Sequence, residues 1–134
     1  MRSGNVEGVG YAFGAIVLPE AWSFPESRCT VQLVDPRLVY GERHLLVSIC
    51  SHLKGLRLAK EPGIDLLLRI TGEKRITEAM KARPKREAVM VVVGTGAEVE
   101  YSRLVKSLEA KDSGEVVSRE GEDDAAERSA LAGL

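Results

Sequence analysis

Residues Ala88-Val-Met-Val-Val-Val93 are apolar without interruption, and Gly94-Thr95-Gly96 follows at once. A run this short, rich in β-branched residues, reads as a strand buried on both faces; a half-exposed strand would alternate. Such a strand needs cover on two sides. The fold must therefore carry it inside a sheet and set other layers against that sheet.

The remaining elements fit that demand. Residues 9–18 form a strand stopped by Pro19, and residues 20–28 a loop. Cys29 to Val34 alternates and is β-branched, so it is a second strand, broken by Asp35-Pro36. The spacing predicts a helix over 43–60. Leu45, Leu46, Ile49, Leu53 and Leu56 fall on one face, with Val47 and Leu58 on the opposite side. That second stripe is either covered by another element or left for a partner. Glu61-Pro62-Gly63 is expected to stop this helix.

Ile64 to Ile70 reads as a short helix rather than a strand, capped by Gly72. A further helix is expected over 73–82 with Ile76, Ala79 and Met80 inward, then a basic loop to Arg86. Ala97 to Glu109 is an amphipathic helix with Val99, Leu104 and Leu108 inward. Residues 111–126 are polar and acidic and read as a flexible connection. Ala130, Leu131 and Leu134 restore apolar character at the end. The expected class is α+β: a single domain with a mixed, mostly antiparallel sheet packed against several helices.

With 134 residues the chain can build one such domain with a real core. Aromatic residues make up only 4%, so aliphatic side chains must fill the core, and a platform for stacking many bases is absent. No apolar run is long enough to span a bilayer, and residues 9–18 read as a strand rather than a signal peptide. Cys29 and Cys50 lack metal-site spacing and read as two thiols, in keeping with a cytoplasmic protein.

Charge is unevenly placed. Net charge is −1 overall, but Arg43 to Arg86 carries +7, the residues before it −2 and those after it −6. A basic middle within an acidic frame suits an anionic partner, although solvated helix faces give the same count. Arg69, Lys74 and Arg75 surround Gly72, where a helix ends and another begins. Cations at turns and helix ends reach phosphate oxygens without needing base edges.

Catalytic constellations are not evident. His44 and His52 are the only histidines, roughly 80° apart around one predicted helix and about two turns apart along it. They read as packing or capping residues. No metal-ligand spacing and no paired carboxylates in an apolar setting occur, so no cofactor and no metal are expected. Gly94-Thr95-Gly96 before a helix invites a nucleotide reading, but Val99 stands where the dinucleotide fingerprint has its third glycine. An enzyme binding a nucleotide at this turn, and a generic protein-interaction adaptor, are the competing readings.

Two segments carry a family resemblance. Gly41-Glu-Arg-His44-Leu-Leu46 resembles the HLLxA helix of the PRPK-binding (TPRKB-like) accessory subunit of the KEOPS complex. Leu66-Leu-Leu-Arg-Ile-Thr-Gly72, followed by Glu-Lys-Arg75-Ile76 and Ala79, is similar to that family's LLxxxGxRQIxxAI segment. The strand Val89 to Val93 and the closing Glu127-Arg-Ser-Ala-Leu131 are similar to its later strand and its ERVAL-like end. Ser48 stands where HLLxA has alanine, Lys74-Arg75 where the family has Arg-Gln, and Ser129 where it has an apolar residue.

The resemblance implies a non-catalytic subunit. It would bind the small kinase-like ATPase of KEOPS and the 3′ CCA end of tRNA. It would act within a larger assembly that installs threonylcarbamoyl on the adenosine beside the anticodon. Arg69, Lys74, Arg75 and Ile76 are then the expected RNA contacts, with amides and dipole of the helix after Gly72 assisting. Val47, Leu58 and Leu131 are the expected kinase contacts.

Overall fold

The computed structural model describes residues 1–132 and is an α+β protein, with five α-helices and a five-stranded sheet. Every strand pairing among the described residues is antiparallel. The chain divides into two compact units. One comprises Met1–Pro36 with Pro84–Val116, the other Arg37–Arg83 with the segment from Val117 onward.

The first unit is the sheet. Its strands are β1 (Arg2–Val6), β2 (Val9–Val17), β3 (Thr30–Val34), β4 (Glu87–Val93) and β5 (Lys111–Gly114). The spatial order is β1-β2-β4-β3, and β5 also pairs with β2. β4 takes one edge of β2 from Tyr11 to Val17. β1 takes the first half of the other edge and β5 the second half. Every residue from Ala88 to Val93 is buried, as the apolar run requires. β1 is an element that its polar sequence conceals. It is set by a two-residue turn, Glu7–Gly8, in which both φ values are positive, as a tight hairpin demands.

Alternation decides what faces what. Ala12 and Ile16 of β2, Leu33 of β3, and Ala88, Met90 and Val92 of β4 share one face. They pack against Ala97, Tyr101, Leu104 and Leu108 from helix α4 (Ala97–Ser107) and the residue after it. On the opposite face Tyr11 and Phe13 stack with ring centroids 5.8 Å apart. Val99, expected inward, is instead exposed on the outer side of α4. It lies two positions from both Ala97 and Tyr101, so the helical repeat turns it away from the buried stripe.

The second unit is helical: α1 (Glu42–Lys54), α2 (Pro62–Thr71), α3 (Ile76–Ala79) and α5 (Glu122–Leu131). α1 packs against both α2 and α5. The buried residues of α5 are Ala125, Ala126 and Ser129, small enough for close approach. Ser48 of α1 donates to its own helix at the His44 carbonyl (2.8 Å) and meets the Ser129 hydroxyl at 3.0 Å. The two serines that depart from the family motifs thus partner one another.

Three expected boundaries shift. The helix predicted over 43–60 ends at Lys54, with Gly55 as its C-cap, and Leu56 lies outside it, 86% exposed. The Glu61-Pro62-Gly63 segment starts α2, with Glu61 as N-cap and Pro62 in the first turn, where proline's missing N–H costs nothing. The helix predicted over 73–82 shrinks to Ile76–Ala79 plus a 3₁₀ turn at Met80–Ala82, and Ile76 and Met80 are exposed rather than inward. Lys74 and Arg75 sit just before that helix, where positive charge opposes the dipole and shortens it.

The segment over 111–126, expected to be a flexible connection, contains β5 and the first turn of α5, and its polar residues make structural contacts. The Glu122 carboxylate accepts from the Arg43 amide at the start of α1 (3.1 Å) and from Ser118 Oγ (2.7 Å). Arg119 lies 4.7 Å over the Tyr40 ring and donates from Nη1 to the Arg37 carbonyl (2.7 Å). A carboxylate at a helix N-terminus supplies an acceptor for an orphan amide and complements the dipole. No helix among the described residues is long and apolar enough to cross a membrane.

Candidate RNA-binding surface

α2 ends because Gly72 adopts a left-handed conformation (φ 70°), which a side chain disfavours. The chain then turns through Glu73, Lys74 and Arg75, all exposed. Ile76 follows at 49% exposure, so an aliphatic side chain stands beside two cations. A fourth residue joins from far along the chain. Arg128 of α5 has its Cβ 3.4 Å from where a Cβ would sit on Gly72, so its stem crosses the turn. The side chains of Lys74, Arg75 and Arg128 make no hydrogen bond or ion pair among the described residues, whereas Arg43 pairs with Asp123 and Lys81 with Glu78. No local sequence signal points to Arg128, because only tertiary packing carries it to Gly72.

Arg69 does not belong to this surface. It is 2% exposed and its guanidinium faces inward. Nη1 donates to Ser51 Oγ (2.8 Å) and to the Ala132 carbonyl (2.9 Å), and Nη2 donates to the Leu56 carbonyl. Nε lies 3.6 Å from Asp65 Oδ2. Asp65 in turn contacts His52 Nδ1 (2.5 Å) and accepts from the Leu58 amide (2.6 Å). Burial alone would raise the Asp65 pKa. The Leu58 amide, His52 and Arg69 outweigh it and hold the carboxyl below its ordinary value. This network ends α1 early: side chains satisfy the backbone at Leu56 and Leu58, which need not be helical.

His44 is likewise structural. Its Nδ1 accepts from the Tyr40 amide (3.1 Å), so the proton sits on Nε2, which donates to the Ile70 carbonyl (2.8 Å). That carbonyl is among those α2 leaves unpaired at its end. Burial lowers the His44 pKa, keeping the ring neutral as the tautomer requires.

The helix after Gly72 is too short to supply the dipole and free amides expected of it. What remains at the turn is side-chain charge plus the Ile76 surface. Among the expected kinase contacts, Val47 and Leu58 are half-buried, and Leu131 is exposed on α5. Leu134 lies outside the described residues. Because the Arg69 guanidinium holds both the Leu56 and Ala132 carbonyls, the loop with Leu56–Leu58 and the end of α5 meet in one place.

In the sheet unit, Glu26, Ser27, Arg28, Val99, Glu100 and Arg103 line an open cleft of about 520 Å³ beside the Gly94–Gly96 turn. Arg103 bonds both Glu100 oxygens (2.6 and 2.9 Å), and Ser27 Oγ donates to the same carboxylate. The Arg103 hydrogen bonds, with that of Ser27, pull the Glu100 pKa down to about 2. The Glu100 carboxylate thereby occupies the Arg103 guanidinium. Burial and Glu100 raise the Cys29 thiol, which disfavours a thiolate nucleophile. Among the described residues no group of three or more His, Cys, Asp or Glu is placed to hold a metal. No family model and no curated protein matches this chain.

Proposed function

We propose that this chain is a non-catalytic, cytoplasmic accessory subunit of a KEOPS-type tRNA-modifying complex. It binds the 3′ CCA end of tRNA at the Gly72 turn and the small kinase-like ATPase through Leu131 and its surroundings. The observation that carries the RNA reading is the convergence of three cations, Lys74, Arg75 and Arg128, unpaired among the described residues, near an exposed Ile76. The cations suit phosphates, and Ile76 gives a base an apolar contact. The resemblance in the α1 and α2 motifs supplies the biological setting. The Ser48–Ser129 hydrogen bond supports it, since it accounts for two departures from the family pattern.

The test is tRNA affinity across a salt series. Each lost phosphate contact lowers the slope of log K against log salt by about 0.7–0.9. Lys74→Ala combined with Arg75→Ala is expected to weaken binding and reduce the slope by about one to two units. Arg128→Ala is expected to remove about one more. Unchanged slope and affinity in the triple variant removes this surface from the RNA site.

A further inference from the structure

β1 ends the sheet on one side. Among the described residues it pairs with β2 alone, and its five residues, Arg2-Ser3-Gly4-Asn5-Val6, run without a bulge. β2 fixes the phase of that pairing. The Gly10 carbonyl accepts from the Gly94 amide (2.9 Å), on the β4 side. Gly10 and Ala12 therefore turn their backbone groups toward β4, and Tyr11 and Phe13 turn theirs toward β1. Gly4 and Arg2, opposite Tyr11 and Phe13, turn inward to match. The amides and carbonyls of Ser3 and Asn5 are left pointing out of the sheet. Asn5 is exposed and Ser3 half-buried, and no side chain among the described residues bonds either.

The other edge of the sheet is guarded. On β3 the Gln32 side chain turns along the strand, and its Oε1 accepts from the Leu33 amide (3.2 Å). β1 has no such cover. It also lacks a proline, a bulge or a charge at its centre, the means by which proteins blunt an edge.

We propose that β1 is a pairing surface for a second copy of this chain. The two β1 strands meet antiparallel about a two-fold axis at Gly4. Ser3 of each copy then lies opposite Asn5 of the other, and four N–H···O bonds form. Of the two-fold registers, this one alone pairs every outward group within Arg2–Val6. Gly4, on the axis, brings no side chain against its counterpart. The ends are complementary too. Arg2 of each copy lies beside the turn that carries Glu7 of the other, whereas parallel strands would set like charges together. An edge of five residues buries less than the about 1,200 Å² of a stable complex, so the dimer is weak and needs high protein concentration. The surface uses none of the residues around Gly72.

Sedimentation equilibrium of the full chain, in reductant and up to about 1 mM, tests this. The expected result is a rise from monomer to dimer mass with concentration. Asn5→Pro removes an outward amide in each copy without touching the β2 ladder, and should weaken dimerisation about tenfold or more. Asn5→Thr keeps the amide and should dimerise as the wild type does. Independently of any variant, hydrogen exchange at the Ser3 and Asn5 amides should slow as concentration rises. A chain that stays monomeric throughout overturns the proposal and leaves the edge to a strand of another protein or to none. A dimer that is unweakened in folded Asn5→Pro, or that leaves exchange at Ser3 and Asn5 unchanged, overturns it as well, because another surface must then hold the copies together.

Discussion

Arg69 shows how a residue's environment overrides its chemical type. Beside a glycine turn in a basic stretch it looks like a phosphate ligand. In the fold it lies beside Asp65 and donates to the Leu56 and Ala132 carbonyls, both just beyond a helix end. Removing one member of a buried charged network leaves the others uncompensated, which costs about 3–5 kcal/mol. Arg69→Met should therefore lower the unfolding free energy by about 3 kcal/mol or more in denaturant titration. The salt slope of tRNA binding, measured where the variant is folded, should stay unchanged. His44 sets a pH dependence. Its folded pKa lies below the ordinary 6.5, so the unfolded chain takes up the proton first as pH falls. The His44 contribution is complete above pH 6.5 and is lost as pH drops through the folded pKa. A His44→Gln variant should show a flatter stability profile between about pH 7 and 5. A profile as steep as the wild type's would assign the dependence to other groups.

At the scale of elements, α1 begins where a carboxylate from α5 reaches it. A Cβ on Gly41 would overlap the Glu122 carboxylate, and Gly41 has φ 146°. Glu122→Ala should cost about 1–2 kcal/mol, the usual worth of a cap, and Gly41→Ala should cost more, since it both expels Glu122 from the Arg43 amide and strains the backbone. The double variant should cost little more than Gly41→Ala alone, and fully additive costs would contradict the shared mechanism. This contact also explains what the sequence conceals. Apolar periodicity located β2, β3, β4, α2 and α4, because each buries a regular stripe or run. β1 and β5 are polar strands held by backbone pairing to β2, and nothing in Arg2–Val6 or Lys111–Gly114 alternates in hydrophobicity. The end of α1 at Lys54 is hidden in the sequence because Asp65 and Arg69 satisfy the backbone beyond it from a distance. At the candidate site Lys74, Arg75 and Ile76 were legible as a local motif. Arg128 was not, since no local pattern announces a residue delivered by helix packing.

For the whole molecule, the charge asymmetry acquires a physical sense. Part of the acidic frame is engaged within the fold, with Glu122 at the start of α1, Asp123 on Arg43 and Glu100 on Arg103. Among the described residues the side chains of the cations around Gly72 have no hydrogen-bond or ion-pair partner. A chain with net charge −1 can in this way carry a locally positive surface. The central claim is that this surface holds the single-stranded end of tRNA, and comparing intact tRNA with tRNA trimmed of its CCA tests it most directly. The account predicts that trimming removes most of the affinity. It also predicts that Lys74→Ala with Arg75→Ala lowers binding of intact tRNA to the trimmed level, without a further loss on trimmed tRNA. Equal binding of intact and trimmed tRNA by the wild-type chain would contradict it.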